Sequence, residues 1–230
     1  MASKPRWRSG LENAMALPEN KGQMQYQLAT VDTSGRPHVR TVGFSSIIEP
    51  AEHPHLPVLI GITDVRTPKV TDMRANPYVE LCWFLTGSKD QFRISGPVRI
   101  IPSPHVESAA QGESTLALDK LSEQGFDWEK KRVAAFDSLP PFMRALWCKP
   151  PQGSTIGSYE VANEWLKTLS KSNQLESEED KQNFELALRN FALLVIDPIH
   201  VDWVEAAASP QRRTKFMRNG EDWSEEFVVP

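Results

Sequence analysis

The chain has 230 residues, 40% of them hydrophobic, with 26 Lys and Arg against 30 Asp and Glu for a formal net charge of −4. That is enough apolar material for a core, and the charge excludes a broad basic field for nucleic acid, so an anionic ligand would need locally placed cations. No apolar run approaches the ~20 residues that span a bilayer, Met1-Ala-Ser-Lys-Pro-Arg-Trp-Arg8 lacks a secretory signal's apolar stretch, and Cys82 and Cys148 form no disulfide or zinc spacing, so a cytoplasmic chain is expected.

Prolines punctuate the sequence and mark its elements. Residues 7–16 place Trp7, Leu11, Ala14 and Met15 on one side, predicting a short amphipathic helix. Residues 23–31 and 38–48 read as strands joined by the Gly-containing loop Asp32–Pro37. After the Pro-rich loop 50–57, Val58-Leu-Ile-Gly-Ile62 reads as a buried strand. Thr67 as N-cap and Pro68 at the first helical position predict a helix over 69–75, stopped by Asn76-Pro77. Strands follow over 78–85 and 91–101, the second with Phe92, Ile94, Val98 and Ile100 on one face and Gln91, Arg93 and Ser95 on the other. Helical periodicity is read over 104–142 and again over 160–188. Within it, the acidic run 176–180 reads as a loop or helix start, and Lys130-Lys-Arg132 as a solvated face. Strands over 190–196, 201–204, 215–218 and 225–229 finish the chain. Antiparallel neighbours without a βαβ rhythm predict a mainly β fold, a barrel with helical additions in one domain.

Two places carry possible site chemistry. The strand ending at Ile62 leads through Thr63-Asp64-Val65-Arg66-Thr67-Pro68-Lys69 into a helix start, whose free N–H groups beside two cations could hold an anion such as a phosphate monoester. The bland alternative is a capped helix with two solvated cations. Arg40 shares a strand face with Val42 and Phe44, so it needs either a carboxylate of this chain or a bound anion. Gln91 is a third polar group that could meet a ligand edge. His53 and His55 sit in a Pro-rich loop without helical i, i+4 spacing, and no metal site is expected. Cys82 reads as core packing, His200 as a surface strand histidine, and the seven tryptophans mainly as packing residues.

The succession Arg40-Thr-Val42, Thr63-Asp64-x-Arg66-Thr67-x-Lys69, Asn76-Pro77 and Gln91-Phe-Arg-Ile-x-Gly96 resembles the pyridoxamine 5′-phosphate oxidase-like family of FMN-binding split barrels. Val201-Asp-Trp-Val204, the interval of ten from Arg213 to Trp223, and the final Pro230 resemble that family's closing hairpin. The likeness covers 20–102 and 190–230, and thins between them apart from Pro151-Gln-Gly-Ser154. It implies an antiparallel split barrel over residues 1–230, with a helical insertion at about 104–188, and a homodimer with FMN between subunits. By position, Arg40, Arg66, Thr67 and Lys69 would hold the FMN phosphate. Thr41, Val42, Thr63 and Asp64 would line the ribityl chain and ring, Gln91 would approach the isoalloxazine, and Trp203 and Arg213 would contribute across the interface. Arg66 is a departure, since the oxidase has a small residue there.

The resemblance to the oxidase itself weakens at its substrate phosphate. Its substrate-binding Lys falls at Ser45, and its Arg-x-His-x-Arg falls at Ser209-Pro-Gln-Arg-Arg213. Charge-assisted hydrogen bonds contribute ~1.5–3 kcal/mol each, so ordinary affinity for that phosphate requires Arg212 or Arg99 to substitute. The resemblance therefore implies an FMN-dependent oxidoreductase acting on an unidentified small molecule, with neither nucleic acid nor membrane as partner. The alternatives are an FMN-binding protein without turnover, or the oxidase proper with an altered phosphate pocket.

Overall fold

The computed structural model describes residues 3–106 and 114–230. Its strands are β1 (Gln25–Val31), β2 (Pro37–Ile48), β3 (Val58–Asp64), β4 (Tyr78–Leu85), β5 (Asp90–Ile101), β6 (Phe191–Ile196), β7 (His200–Glu205), β8 (Arg212–Asn219) and β9 (Asp222–Val228). The sheet order is β4-β1-β2-β3-β6-β5-β7-β8-β9, and an additional β4–β5 ladder closes the first six strands into an antiparallel barrel. The strand β5 serves two partners on one edge: Asp90–Ser95 pair with β7 and Val98–Ile101 with β6. Gly96 lies at the changeover, where a Cβ would stand 2.0 Å from the Asp197 carbonyl oxygen. The glycine of the Gln91–Gly96 motif is thus required by the close approach of the β6–β7 turn.

The helices are α1 (Arg6–Ala16), α2 (Pro68–Ala75), α3 (Leu116–Glu123), α4 (Trp128–Asp137), α5 (Pro141–Arg144) and α6 (Glu178–Asn190). They explain why β3 and β6 are buried along their whole length. Leu59, Leu194 and Ile196 point into the barrel with Leu28, Leu81 and Ile94. The alternate residues Val58, Ile60, Leu193 and Val195 pack outward against Leu118, Phe136, Trp147 and Phe184 of the helical layer. Two covered faces turn an alternating pattern into a continuous apolar run. Each large side chain so buried contributes roughly 1.5–3 kcal/mol.

Four expectations change. The predicted helix over 160–188 forms only as α6; upstream lie short 3-10 turns at Tyr159–Asn163 and Ser172–Gln174. Ser170, Ser172 and Asn173 favour local turns over helix, and the buried Arg144 donates to the Leu169 carbonyl at 2.9 Å, holding the segment without helical bonding. The acidic run does start α6, through a capping box between Ser177 and Asp180. The predicted helix over 104–142 is divided into α3, α4 and α5, and its residues 107–113 lie outside the described ones. Arg132 is buried rather than solvated: it donates to the Leu188 and Phe191 carbonyls at 2.6 and 3.0 Å and pairs with Glu129 at 2.7 Å. Cys82 is half-buried on the outward face of β4, since the buried set there is Val79, Leu81, Trp83 and Leu85. Among the described residues no helix is long and apolar enough to cross a membrane.

Candidate functional site

The end of β3 and the start of α2 are joined by a turn organised on Asp64. Its carboxylate accepts from the Arg66 backbone N–H at 2.9 Å, and its carbonyl accepts from the Thr67 N–H at 3.2 Å and the Thr67 hydroxyl at 2.8 Å. Thr67 occupies the N-cap position and Pro68 the first helical one, as expected, but the Thr67 hydroxyl caps no helix N–H and donates to the Asp64 carbonyl. Arg66 is not solvated. Its guanidinium forks onto the buried Asp64 carboxylate, Nε to Oδ1 at 2.9 Å and Nη2 to Oδ2 at 2.6 Å. That pair cancels its own charge.

Lys69 is different. It is half-buried, and among the described residues no hydrogen bond or ion pair engages its ammonium. Burial pushes its pKa down, the neighbouring Arg40 pushes it further, and Asp64 draws it partly back. Arg40, on β2, donates to Thr30 Oγ1 at 2.7 Å and the Leu28 carbonyl at 3.2 Å, with Asp72 of α2 at 3.6 Å. Burial lowers the Arg40 pKa and Asp72 opposes that. A chain carboxylate is therefore the partner that Arg40 required, though beyond hydrogen-bond length. Two clustered cations against one distant carboxylate leave a local positive excess.

Thr41, Val42, Thr63, Asp64 and Lys69 line one cavity of about 150 Å³. Larger cavities of about 530 and 470 Å³ lie elsewhere on the chain, so size does not single this one out; the unengaged ammonium does. An anion there would reverse both pressures on Lys69, and threonine hydroxyls beside it suit a polar chain attached to a phosphate. These residues fit a phosphorylated ligand. Arg40, Arg66 and Thr67 are not among the residues lining this cavity: Arg66 and Thr67 bond to Asp64, and Arg40 acts on Lys69 through its charge.

The remaining predicted residues stand apart within the chain. Gln91 pairs on β5 between Phe84 and Val204. Trp203 stacks on Phe92 at 5.2 Å, donates its N–H to Asp90 at 2.9 Å, and is covered by α1, where a Cβ on Gly10 would come within 2.4 Å of its ring. Arg213 forks onto Asp202 at 3.0 and 2.8 Å, and Arg93 meets the same carboxylate. Burial would raise the Asp202 pKa, but the two guanidiniums outweigh it and hold the group down at about 2.

Residues 4–102 match the family described as pyridoxamine 5′-phosphate oxidase, FMN-binding domain. A pyridoxamine 5′-phosphate oxidase-related, FMN-binding protein from Nostoc punctiforme PCC 73102 superposes at a TM-score of 0.72 with 27% identity, covering 100% of both chains. The barrel is similar to the split barrels of the pyridoxamine 5′-phosphate oxidase-like family. Over 228 residues the chain is also 23% identical to pyridoxine/pyridoxamine 5′-phosphate oxidase 2 of Arabidopsis thaliana, covering 97% of this chain and 96% of that protein. A likeness of fold extends to PhzG from Burkholderia lata 383, solved with tetrahydrophenazine-1-carboxylic acid, at a TM-score of 0.52 and 16% identity, covering 98% of this chain and 89% of that one.

Sequence reading missed the helical layer's share of the cavity, in which Met143, Leu146, Trp147 and Gln152 take part. Trp147 donates its indole N–H to the Thr63 carbonyl at 3.1 Å, and its own carbonyl accepts from Asn190 at 2.8 Å. Only Gln152, in the Pro151–Ser154 stretch, carried a signal in the sequence.

Proposed function

We propose that the chain binds FMN, with the phosphate at Lys69 and Arg40 and the ribityl chain and ring along Thr41, Val42, Thr63 and Asp64, and serves as an FMN-dependent oxidoreductase on a small organic molecule. The observation carrying this reading is the half-buried Lys69 ammonium, unengaged among the described residues and subject to the charge of Arg40, in a cavity lined in part by Thr41 and Thr63. A phosphate monoester carries ~1.5 to 2 negative charges, which matches that excess. When bound, FMN supplies hydride or electron transfer. The chain's own part is to hold and orient: Lys69 and Arg40 neutralise the phosphate, while Arg66 and Thr67 act through Asp64, keeping the turn in shape. Met143, Leu146 and Trp147 exclude water from one wall of the cavity.

In this proposal the functional unit is one domain over residues 1–230, cytoplasmic and assembled as a homodimer, in which Gln91, Trp203 and Arg213 complete the flavin environment across the interface. Ser45 stands where the oxidase pattern has its Lys, and Ser209–Arg213 keeps only the last Arg of Arg-x-His-x-Arg, which favours a substrate other than a vitamin B6 phosphate. The test is the visible spectrum of purified protein and its retention of added FMN after gel filtration. Flavin bands that bleach on adding a reductant support the reading. A colourless protein that fails to retain added FMN overturns it, and bound flavin that no reductant bleaches reduces it to binding without turnover.

A further inference from the structure

Distant stretches of the sequence meet at a cluster outside the residues that line the proposed flavin cavity. The loop between β2 and β3 carries His53 and His55, and the β8–β9 turn carries Glu221, 166 positions from His55. His55 Nε2 lies 3.2 Å and His53 Nδ1 3.7 Å from the same Glu221 Oε2. One ligand atom from each of the three residues lies within 4.8 Å of the others. His55 is 3% exposed. Among the described residues His53 Nδ1 is buried without a hydrogen-bond partner, although it faces a carboxylate oxygen just beyond hydrogen-bond length. His55 Nδ1, on the opposite edge of its ring, is buried and unpartnered as well.

We infer that His53, His55 and Glu221 form a binding site for a divalent transition ion of the zinc class. Zinc bonds of ~2.0–2.2 Å to nitrogen and oxygen set the edges of a coordination tetrahedron at about 3.3–3.6 Å. The spacings of 3.2 and 3.7 Å straddle that range. Two imidazoles and one carboxylate are also the donor set that zinc takes when it keeps a fourth position for water or a ligand. Here that position has room, since His55 and Glu221 line a polar cavity of about 470 Å³. The cations nearby are already engaged: Lys4 by Glu12 at 3.3 Å, Arg6 by Glu225 at 2.9 Å, and Lys120, which feels the Glu221 charge, by Glu123 at 3.0 Å. The ion would tie the β2–β3 loop to the β8–β9 turn. The Trp223 indole, donating to the His55 carbonyl at 2.8 Å, already aligns the two.

The test uses the full chain, stripped with chelator and then given zinc chloride or cobalt chloride. Wild type is expected to retain one equivalent of zinc through gel filtration, and to unfold at a higher temperature with zinc than without. With cobalt it should show the intense visible bands of a four-coordinate ion. His53→Ala, at the more exposed of the two imidazoles, and Glu221→Gln should each weaken zinc binding at least tenfold and abolish the thermal shift; His55→Ala is the third variant, but its buried position makes its folding the first thing to check. Failure of wild type to retain zinc would refute the site, leaving a His55–Glu221 hydrogen bond. Equal binding by His53→Ala and Glu221→Gln would refute it too, by locating the ion elsewhere. FMN retention, measured on the same samples, keeps this outcome separate from that of the flavin cavity.

Discussion

The arginines of the C-terminal ladder and the cations around α2 make opposite use of charge. On β5 and β8 three guanidiniums meet buried carboxylates: Arg218 forks onto Asp197 at 2.5 and 2.8 Å, and Arg213 and Arg93 share Asp202. At α2, Arg66 is likewise neutralised by Asp64, but among the described residues Lys69 is unengaged, and Arg40 is held mainly by neutral oxygens. Matched charges hold strands in register and leave nothing over for a ligand. Mismatched charge costs folding free energy and lowers the cost of bringing in an anion.

The largest expected effect lies in the matched region. Asp197→Ala strands the Arg218 guanidinium, whose side chain is 6% exposed, and should cost about 3–5 kcal/mol in denaturant unfolding. A loss below 1 kcal/mol (~1, as at a surface pair) would erase the contrast between the regions. In the mismatched region Lys69→Ala should do the reverse. FMN affinity should fall roughly 10- to 100-fold, as for one charge-assisted contact of ~1.5–3 kcal/mol, with stability changed by less than ~0.5 kcal/mol. Arg40→Ala should also weaken FMN retention strongly, and unchanged flavin occupancy in both variants would refute the phosphate assignment.

Acid titration gives a smaller effect. The Asp202 pKa falls from 3.8 to about 2 on folding, so its contribution is present above pH 4 or so and is lost as pH drops through about 2. The full amount is about 2 kcal/mol, reduced by the partial exposure of Arg93 and Arg213. Unfolding free energy should therefore decline more steeply over that interval in wild type than in Asp202→Asn; parallel profiles would remove Asp202 from the account. Smallest of all, Arg66→Gln should weaken FMN retention less than tenfold, because Asp64 has already absorbed its charge. A loss equal to that of Lys69→Ala would mean that Arg66 turns from Asp64 to the phosphate.

Much of the barrel was legible locally. Strand ends fell at prolines and turns, the start of α2 at Thr67-Pro68, and the buried face of β5 in the alternation of Phe92, Ile94, Val98 and Ile100. Those signals lie within a few residues of the features they specify, as backbone preferences and side-chain periodicity do. The same holds for the cavity's barrel wall, since Thr41–Val42 and Thr63–Lys69 lie on two short stretches of chain.

Which cations are available was decided by tertiary structure. Nothing in the sequence around Arg66 and Lys69 distinguishes the one that Asp64 neutralises from the one left unengaged. The burial of Arg132 depends on carbonyls at Leu188 and Phe191, 56 and 59 positions away. The helical layer enters the cavity because Trp147 reaches the Thr63 carbonyl, 84 positions away. Composition determined that any anion here needs local cations, and the motifs determined where those cations stand. Only the folded chain decided which of them keep their charge open, because Coulomb and hydrogen-bond partners act through space over a few ångströms and without regard to distance along the chain.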